Sequence, residues 1–238
     1  TYSSDSSGAP DTLDLLVKVV GEGTRRLTDA PVGTDVQVLG PLGNTFELPP
    51  EGAAAALVAG GCGWASLGLL ARGLRRHGHP TYAFIGAQTA DHLPLATVPG
   101  TLPRGFLDGF PEGCVTSREL EDLGIAVGLA ADRGGRVYGG FVTDLLERFL
   151  ASERGRGSCV YGCGPWPMLR RVAELAASHR VPCQLSFEKY MGCGMGVCMS
   201  CVCEVRSPDG KPAHKRLCVD GPVLRAEEVD WDEEMREA

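Results

Sequence analysis

The sequence predicts an α/β fold with a β-barrel, arranged in three parts. These are a partial antiparallel barrel over residues 1–50, an open parallel sheet with helices over 51–185, and a cysteine-rich loop module with an acidic tail over 186–238. Three observations carry the prediction. Short β-type runs separated by Gly/Pro turns fill the first fifty residues. From Ala53 onward, buried-strand runs alternate with helical periodicity. Five of the ten cysteines then fall within the 26 residues from Cys193 to Cys218.

In the first part, Leu13 to Val20 alternates like a strand, Gly21-Glu22-Gly23-Thr24 breaks it, and Val36 to Leu39 resumes a short strand before the turn Gly40-Pro41-Leu42-Gly43-Asn44. In the second part, Ala55 to Ala59 is a continuous apolar run of the kind buried in a parallel sheet. It is followed by Gly60-Gly61-Cys62-Gly63 and a helical pattern from Trp64 to His77. Further strands are expected at Thr81–Ile85, Ile125–Ala130 and Cys159–Tyr161, with helices at Phe141–Leu150 and Met168–His179. Leu93 to Gly113, rich in Pro and Gly, reads as a surface insertion. In the third part, Glu188 to Asp220 has little regular patterning and is expected to need an inorganic staple.

Composition narrows the function. The chain has 238 residues, 43% hydrophobic and 22% charged, which excludes disorder. The longest apolar stretch, near Ala53–Ala59, is far short of the roughly 20 residues that span a bilayer, and no basic-then-apolar leader opens the chain. A cytoplasmic protein without membrane contact is the expectation. The net charge of -7 argues against nucleic-acid binding; seven acidic and two basic residues between Arg225 and Ala238 concentrate it in the tail, which reads as an interface or a solvated extension, the usual role of a charge run being the latter.

Cys193, Cys198 and Cys201 form C-x4-C-x2-C, and Cys218 follows after sixteen intervening residues. That is the plant-type ferredoxin spacing with a shortened last interval. A [2Fe-2S] rhomb needs four thiolates from two directions, and a Gly-rich loop turns backbone N–H groups toward its sulfides. The alternative, zinc on four thiolates, usually pairs two C-x2-C knuckles, whereas one is present here. Cys203, two residues past Cys201, is expected to face the other way and pack as a small hydrophobe.

Gly60, Gly61 and Gly63 between a buried strand and a helix offer a Rossmann-like seat for a dinucleotide pyrophosphate, although a tight strand-to-helix turn explains them nearly as well. Cys163-Gly164-Pro165 lies at the end of another parallel strand, where ligands of open α/β sheets bind; an inert buried thiol is the equal alternative there. Asp132 follows a strand within reach of a ribose hydroxyl, against the ordinary fate of a loop acid in solvent. His77, His79, His92, His179 and His214 show no ligand spacing and read as surface residues.

This combination resembles one family over essentially the whole chain: the electron-transfer subunit of type B, NAD-dependent dihydroorotate dehydrogenase, within the ferredoxin-reductase superfamily. The residues carrying the likeness are Val19-Val20-Gly21-Glu22-Gly23-Thr24, Leu39-Gly40-Pro41-Leu42-Gly43-Asn44, Gly60 to Gly63, Gly140-Phe141-Val142-Thr143-Asp144, and Cys163-Gly164-Pro165 with Met168. To these are added Glu188 with Met191-Gly192-Cys193-Gly194, and Cys218-Val219-Asp220-Gly221-Pro222-Val223. The last two are specific to the family.

The resemblance implies that Leu16, Val17, Lys18, Gly23 and Thr24 line an FAD site in the barrel. It implies that Gly60, Gly61, Gly63, Cys163, Gly164 and Pro165 face NAD, and that Cys193, Cys198, Cys201 and Cys218 ligate a [2Fe-2S] cluster. Electrons then pass from an FMN-containing, dihydroorotate-oxidising partner subunit through the cluster and FAD to NAD, in a heterotetramer serving orotate and pyrimidine biosynthesis. No dihydroorotate-oxidising base is expected in this chain. Three departures stand out. The family's flavin-binding R-P-x-S/T motif is missing. Ser66 replaces a usual proline, with bulky Trp64 nearby. The 93–113 insertion and the acidic tail are long. Alternatives sharing the motifs are a diaphorase-like subunit of a hydrogenase, sulfide dehydrogenase or ferredoxin:NAD(P) oxidoreductase, and, from another class, a zinc-stapled non-catalytic binding module.

Overall fold

The computed structural model describes residues 2–3, 12–99, 115–133 and 135–237. In chain order the strands are β1 (Tyr2–Ser3), β2 (Thr12–Leu13), β3 (Ala55–Gly60), β4 (Thr81–Ala87), β5 (Val98–Pro99), β6 (Val115–Thr116), β7 (Ala126–Ala131), β8 (Tyr138–Gly139), β9 (Cys159–Cys163), β10 (Cys183–Ser186), β11 (Val202–Arg206), β12 (Pro212–Arg216) and β13 (Val223–Arg225). The helices are α1 (Glu22–Asp29), α2 (Trp64–Arg76), α3 (Arg118–Asp122), α4 (Val142–Ala151), α5 (Trp166–His179) and α6 (Trp231–Glu237).

A seven-stranded sheet in the order β13-β10-β9-β3-β4-β7-β8 forms the centre. All its pairings are parallel except that of β13 with β10. Strand period 2 divides the apolar residues between the two faces. Ala55, Leu57 and Ala59 of β3 join Ala83, Ile85, Val127, Leu129 and Tyr161 under α2 and α3. Ala56, Val58, Phe84 and Val160 pack on the other face against Leu145, Phe149, Leu169 and Val172 of α4 and α5. Each fully buried Leu or Phe in these layers stabilises by roughly 1.5–3 kcal/mol through removal from water. In α2 the buried positions Trp64, Leu67, Ala71 and Leu74 recur at helical spacing, and the helix stops where Gly78, at φ +79°, donates its N–H to the Arg75 carbonyl.

The parallel α/β region therefore forms as its periodicity predicts, with helices beginning or ending within two residues of expectation. Three strands of this sheet were not anticipated, β8, β10 and β13: Tyr138–Gly139, Cys183–Ser186 and Val223–Arg225 are too short to leave a pattern, and each is completed by a neighbour in space.

The first fifty residues differ from expectation. Asp14 to Val20 and Val36 to Leu39 are irregular rather than β, and among the described residues no barrel forms; only Thr12–Leu13 is paired there, with Tyr2–Ser3. A strand's backbone bonds must come from a neighbouring strand, and alternation alone does not supply one. Leu15, Leu16, Val19, Val20, Val36, Val38 and Leu39 are exposed. Gly21 to Thr24 opens α1 instead of a turn. The Thr24 hydroxyl accepts from the backbone N–H groups of Val20 and Gly21 at 3.0 and 3.2 Å, and Glu22 pairs with Arg26 one turn on.

The third part is better ordered than its sequence suggests. β11 and β12 form a hairpin, and Cys203, Val205, Leu217, Leu224 and Val229 join the α4/α5 core. Cys203 is fully buried, as its position on the strand predicts. The tail is not a solvated extension. Trp231 packs against Trp166 and Phe187, Asp232 reaches Arg170, and Glu234, 1% exposed, pairs with Lys189 at 2.8 Å. Residues 100–113 of the expected insertion lie outside the described residues; the flanking β5 and β6 pair antiparallel.

Candidate functional site

β3 and β9 are neighbours, yet the chain leaves them in opposite directions: β3 leads through α2 to β4 on one side, and β9 through α5 to β10 on the other. The crevice at the carboxyl ends of two such strands is where open α/β sheets bind ligands. Gly60 ends β3 with Gly61 and Gly63 just beyond it, and Cys163 ends β9 with Gly164 and Pro165 just beyond it, so the structure brings the two predicted motifs together, with Ala59 in register with Cys163. Their backbones touch. A Cβ on Gly63 would stand 2.2 Å from the Cys163 carbonyl oxygen, and one on Gly60 would stand 2.6 Å from Pro165 Cδ. Gly61, at φ +53°, has nothing within 4 Å of its Cβ position and stays open. Just past it begins α2, whose N-terminal N–H groups favour an anion. The donor geometry and the open glycine fit a dinucleotide pyrophosphate.

Cys163 itself is buried, and burial raises its thiol above the ordinary value, which favours the protonated form at neutral pH. Its Sγ lies 3.5 Å from the Ser66 hydroxyl, a partner no local pattern announces. Trp64 turns inward, 7% exposed, so it fills core beneath the crevice rather than crowding it. Asp132 is exposed at the end of β7, its N–H bonded to Ala87 O at 3.2 Å. Contrary to expectation His79 is buried, its Nδ1 3.1 Å from the Ala53 carbonyl; the other histidines are not.

The segment holding Leu16, Val17 and Lys18 is irregular and largely exposed, and Gly23 and Thr24 lie in α1. The Thr24 hydroxyl is taken up by its own turn, donating to Gly21 O at 3.0 Å. These residues make no enclosed cradle.

The cysteine loop runs from Cys193 to Cys201 and meets the turn after β12 that carries Cys218. Gly194 and Gly196, at φ +68° and +81°, and Met199, at φ +61°, wind it tightly. Cys193 and Cys198 lie within hydrogen-bonding reach of each other, as do Cys201 and Cys218, and the Cys218 thiol also feels Cys193. Backbone N–H groups of Met195, Cys198 and Val197 face the Cys193 sulfur and hold its thiol below the ordinary value. The Ser200 hydroxyl and backbone, together with Cys193, bring Cys198 down to about 6. Burial pushes Cys218 up. The thiols sit as two pairs, and among the described residues no three Cys, His, Asp or Glu side chains converge on one point. Four sulfur donors and a loop whose N–H groups point at sulfur fit an iron–sulfur cluster, whose reduced state those donors favour.

Residues 188–230 match the family described as the iron–sulfur cluster binding domain of dihydroorotate dehydrogenase B. The dihydroorotate dehydrogenase B (NAD+) electron transfer subunit of Caldanaerobacter subterraneus subsp. tengcongensis is 34% identical over 219 residues, covering 92% of this chain and 76% of that protein. The corresponding subunit of Bacillus caldolyticus is 37% identical, covering 90% and 73%. This chain belongs to the family of dihydroorotate dehydrogenase B electron-transfer subunits.

The solved structure of an NADH-dependent reduced ferredoxin–NADP oxidoreductase superposes with a TM-score of 0.73 at 29% identity, covering 92% of this chain and 69% of that one. An electron-transfer subunit of this family is a component of an oxidoreductase and works with a separate catalytic subunit. The fold carries no helix, among the described residues, long and apolar enough to cross a membrane.

Proposed function

We propose that this chain relays electrons from a dihydroorotate-oxidising FMN subunit to NAD, by way of a [2Fe-2S] cluster held by Cys193, Cys198, Cys201 and Cys218 and an FAD, in the synthesis of orotate for pyrimidines. The bound groups supply the redox chemistry: one-electron exchange at the cluster and hydride exchange between flavin and nicotinamide. The chain supplies placement. Gly60, Gly61 and Gly63 seat the pyrophosphate of NAD at the start of α2, and the turn at Cys163, Gly164 and Pro165 walls the other side of the crevice. Backbone N–H groups of the 193–198 loop carry partial positive charge to the sulfurs.

The observation that supports this reading best is the surface around the cysteines. Met191, Met195, Val197, Met199 and Val219 are all exposed on the ligand-bearing loops, and Cys198 is exposed among them. An apolar, Met-rich rim is suited to bury against a partner, which shields the cluster and shortens the path for electrons. Thiol ligands must stay reduced until loaded, which favours the cytoplasm.

The test is a visible spectrum of the purified chain, with iron, sulfide and flavin quantified before and after dithionite. Absorption that bleaches on reduction, with about two iron and two sulfide per chain, is expected. A colourless zinc protein would overturn the reading. Cys198→Ser should abolish electron delivery from the dihydroorotate-oxidising partner, which should co-purify with the wild-type chain.

A further inference from the structure

Arg216 closes β12, two residues before Cys218, and its side chain crosses between the two loops that carry the cysteines. Nη1 donates to the Gly196 carbonyl at 3.0 Å, inside the Cys193–Cys201 loop. Nε and Nη2 donate to the two carboxylate oxygens of Asp220 at 3.0 and 3.5 Å, on the far side of Cys218. The backbone repeats the tie: Arg216 N–H donates to Asp220 Oδ2 at 2.9 Å, and the Arg216 carbonyl accepts from Val219 and Asp220. Leu217 N–H donates to the Cys201 carbonyl at 2.9 Å, so the strand end is anchored to the first loop as well. Gly196 is pressed against this assembly; a Cβ there would lie 2.7 Å from Val219 Cγ2 and 3.3 Å from Arg216 Nη1. The guanidinium interacts with the thiols of Cys218 and Cys201 as well as with Asp220. The neighbouring cation Lys215 is engaged by Glu228.

We propose that Arg216 is a positioning residue of the iron–sulfur site: it bolts the Cys193–Cys201 loop to the Cys218 turn through Gly196 and Asp220, and its fixed positive charge favours the reduced state of the cluster. The inference rests on the assignment of the four cysteines as ligands. Only arginine has a planar fork able to hold a carboxylate with one edge and a carbonyl with another nitrogen, so lysine keeps the charge but cannot complete both contacts. Reduction adds negative charge beside the guanidinium, so removing Arg216 disfavours reduction and removing Asp220 favours it.

The experiment is an EPR-monitored redox titration of the full chain, with iron and sulfide counted, for wild type, Arg216→Gln, Arg216→Lys and Asp220→Asn. Arg216→Gln should shift the midpoint to more negative potential. Asp220→Asn should shift it to more positive potential, and Arg216→Lys should fall between wild type and Arg216→Gln. Where Arg216→Gln fails to load iron, the opposed shifts of Arg216→Lys and Asp220→Asn carry the test. Midpoints that do not move, or that move in one direction for both Arg216 and Asp220 variants, overturn the inference while leaving the cluster assignment intact. A wild-type chain that assembles no iron and sulfide overturns both.

Discussion

Asn44 and Val223 are 179 residues apart and exchange two hydrogen bonds: Asn44 Nδ2 donates to the Val223 carbonyl at 2.8 Å, and Val223 N–H donates to Asn44 Oδ1 at 2.9 Å. Asn44 N–H adds a bond to the Gly221 carbonyl, and Nδ2 reaches the Asp220 carbonyl at 3.3 Å. The same turn lays Leu39 and Leu42 against the position a Cβ of Gly194 would occupy. The amide thus fastens the N-terminal segment to the Cys218 turn, while Leu39 and Leu42 rest against the other cysteine-bearing loop. Asn44→Ala removes both partners of Val223 and should cost about 1–2 kcal/mol in urea unfolding. It should also speed loss of iron to a chelator, whereas unchanged iron release would show that the turn does not brace the loops.

The crossing of the glycine turns makes a paired prediction. Gly63→Ala forces a methyl onto the Cys163 carbonyl, a backbone atom that cannot step aside, and should destabilise by roughly 1–3 kcal/mol while raising the KM for NADH. Gly68→Ala, inside α2, meets nothing within 4 Å and should stabilise by about 0.4–1 kcal/mol. Thermal midpoints and NADH-to-dye kinetics of the two variants read the contrast.

The tail predicts a strong dependence on one ion pair. Lys189 Nζ lies 2.8 Å from Glu234, which is almost wholly buried and also accepts the Glu204 N–H at 2.6 Å. Lys189→Met strands a carboxylate in the core and should cost about 3 kcal/mol, toward the low end for broken buried pairs because Lys189 keeps some contact with solvent. Glu234→Gln retains an acceptor for Glu204 and should cost less, and the double variant should cost less than the sum of the two. Chemical denaturation of the four proteins measures the coupling.

Burial raises the thiols of Cys163 and Cys183 above their ordinary value of 9.0. A group with a raised folded value contributes stability that is fully present below the unfolded value and is lost as pH rises through the folded one. Stability should therefore fall as the medium passes from about pH 8 to 10, by up to about 1.4 kcal/mol per pH unit for each thiol. Urea midpoints across that range should fall less steeply for Cys183→Ala than for wild type. Equal slopes would mean that the Cys183 thiol is not shielded.

The alternation of strands and helices from Ala55 to His179 was legible because its causes are local. A buried parallel strand must be apolar on both faces, and a helix laid on the sheet must repeat its apolar residues every three or four positions. The cysteine spacing was legible for the same reason, since three of the proposed ligands come from one short loop. Leu13 to Val20 shows the limit: its alternation satisfies strand chemistry, but a strand exists only where another backbone completes its hydrogen bonds.

By itself, then, the sequence determined the parallel α/β layering, the family and the set of candidate sulfur ligands. Tertiary structure decided the relations that join distant segments: Gly63 against Cys163, Asn44 on Val223, Arg216 spanning Gly196 and Asp220, and the burial of Glu234 in a tail that reads as a charged, solvated run. Such pairs leave no periodic trace. A hydrogen bond or a close backbone approach depends on where the fold delivers its two partners, and residues tens to hundreds of positions apart meet only after the core has formed.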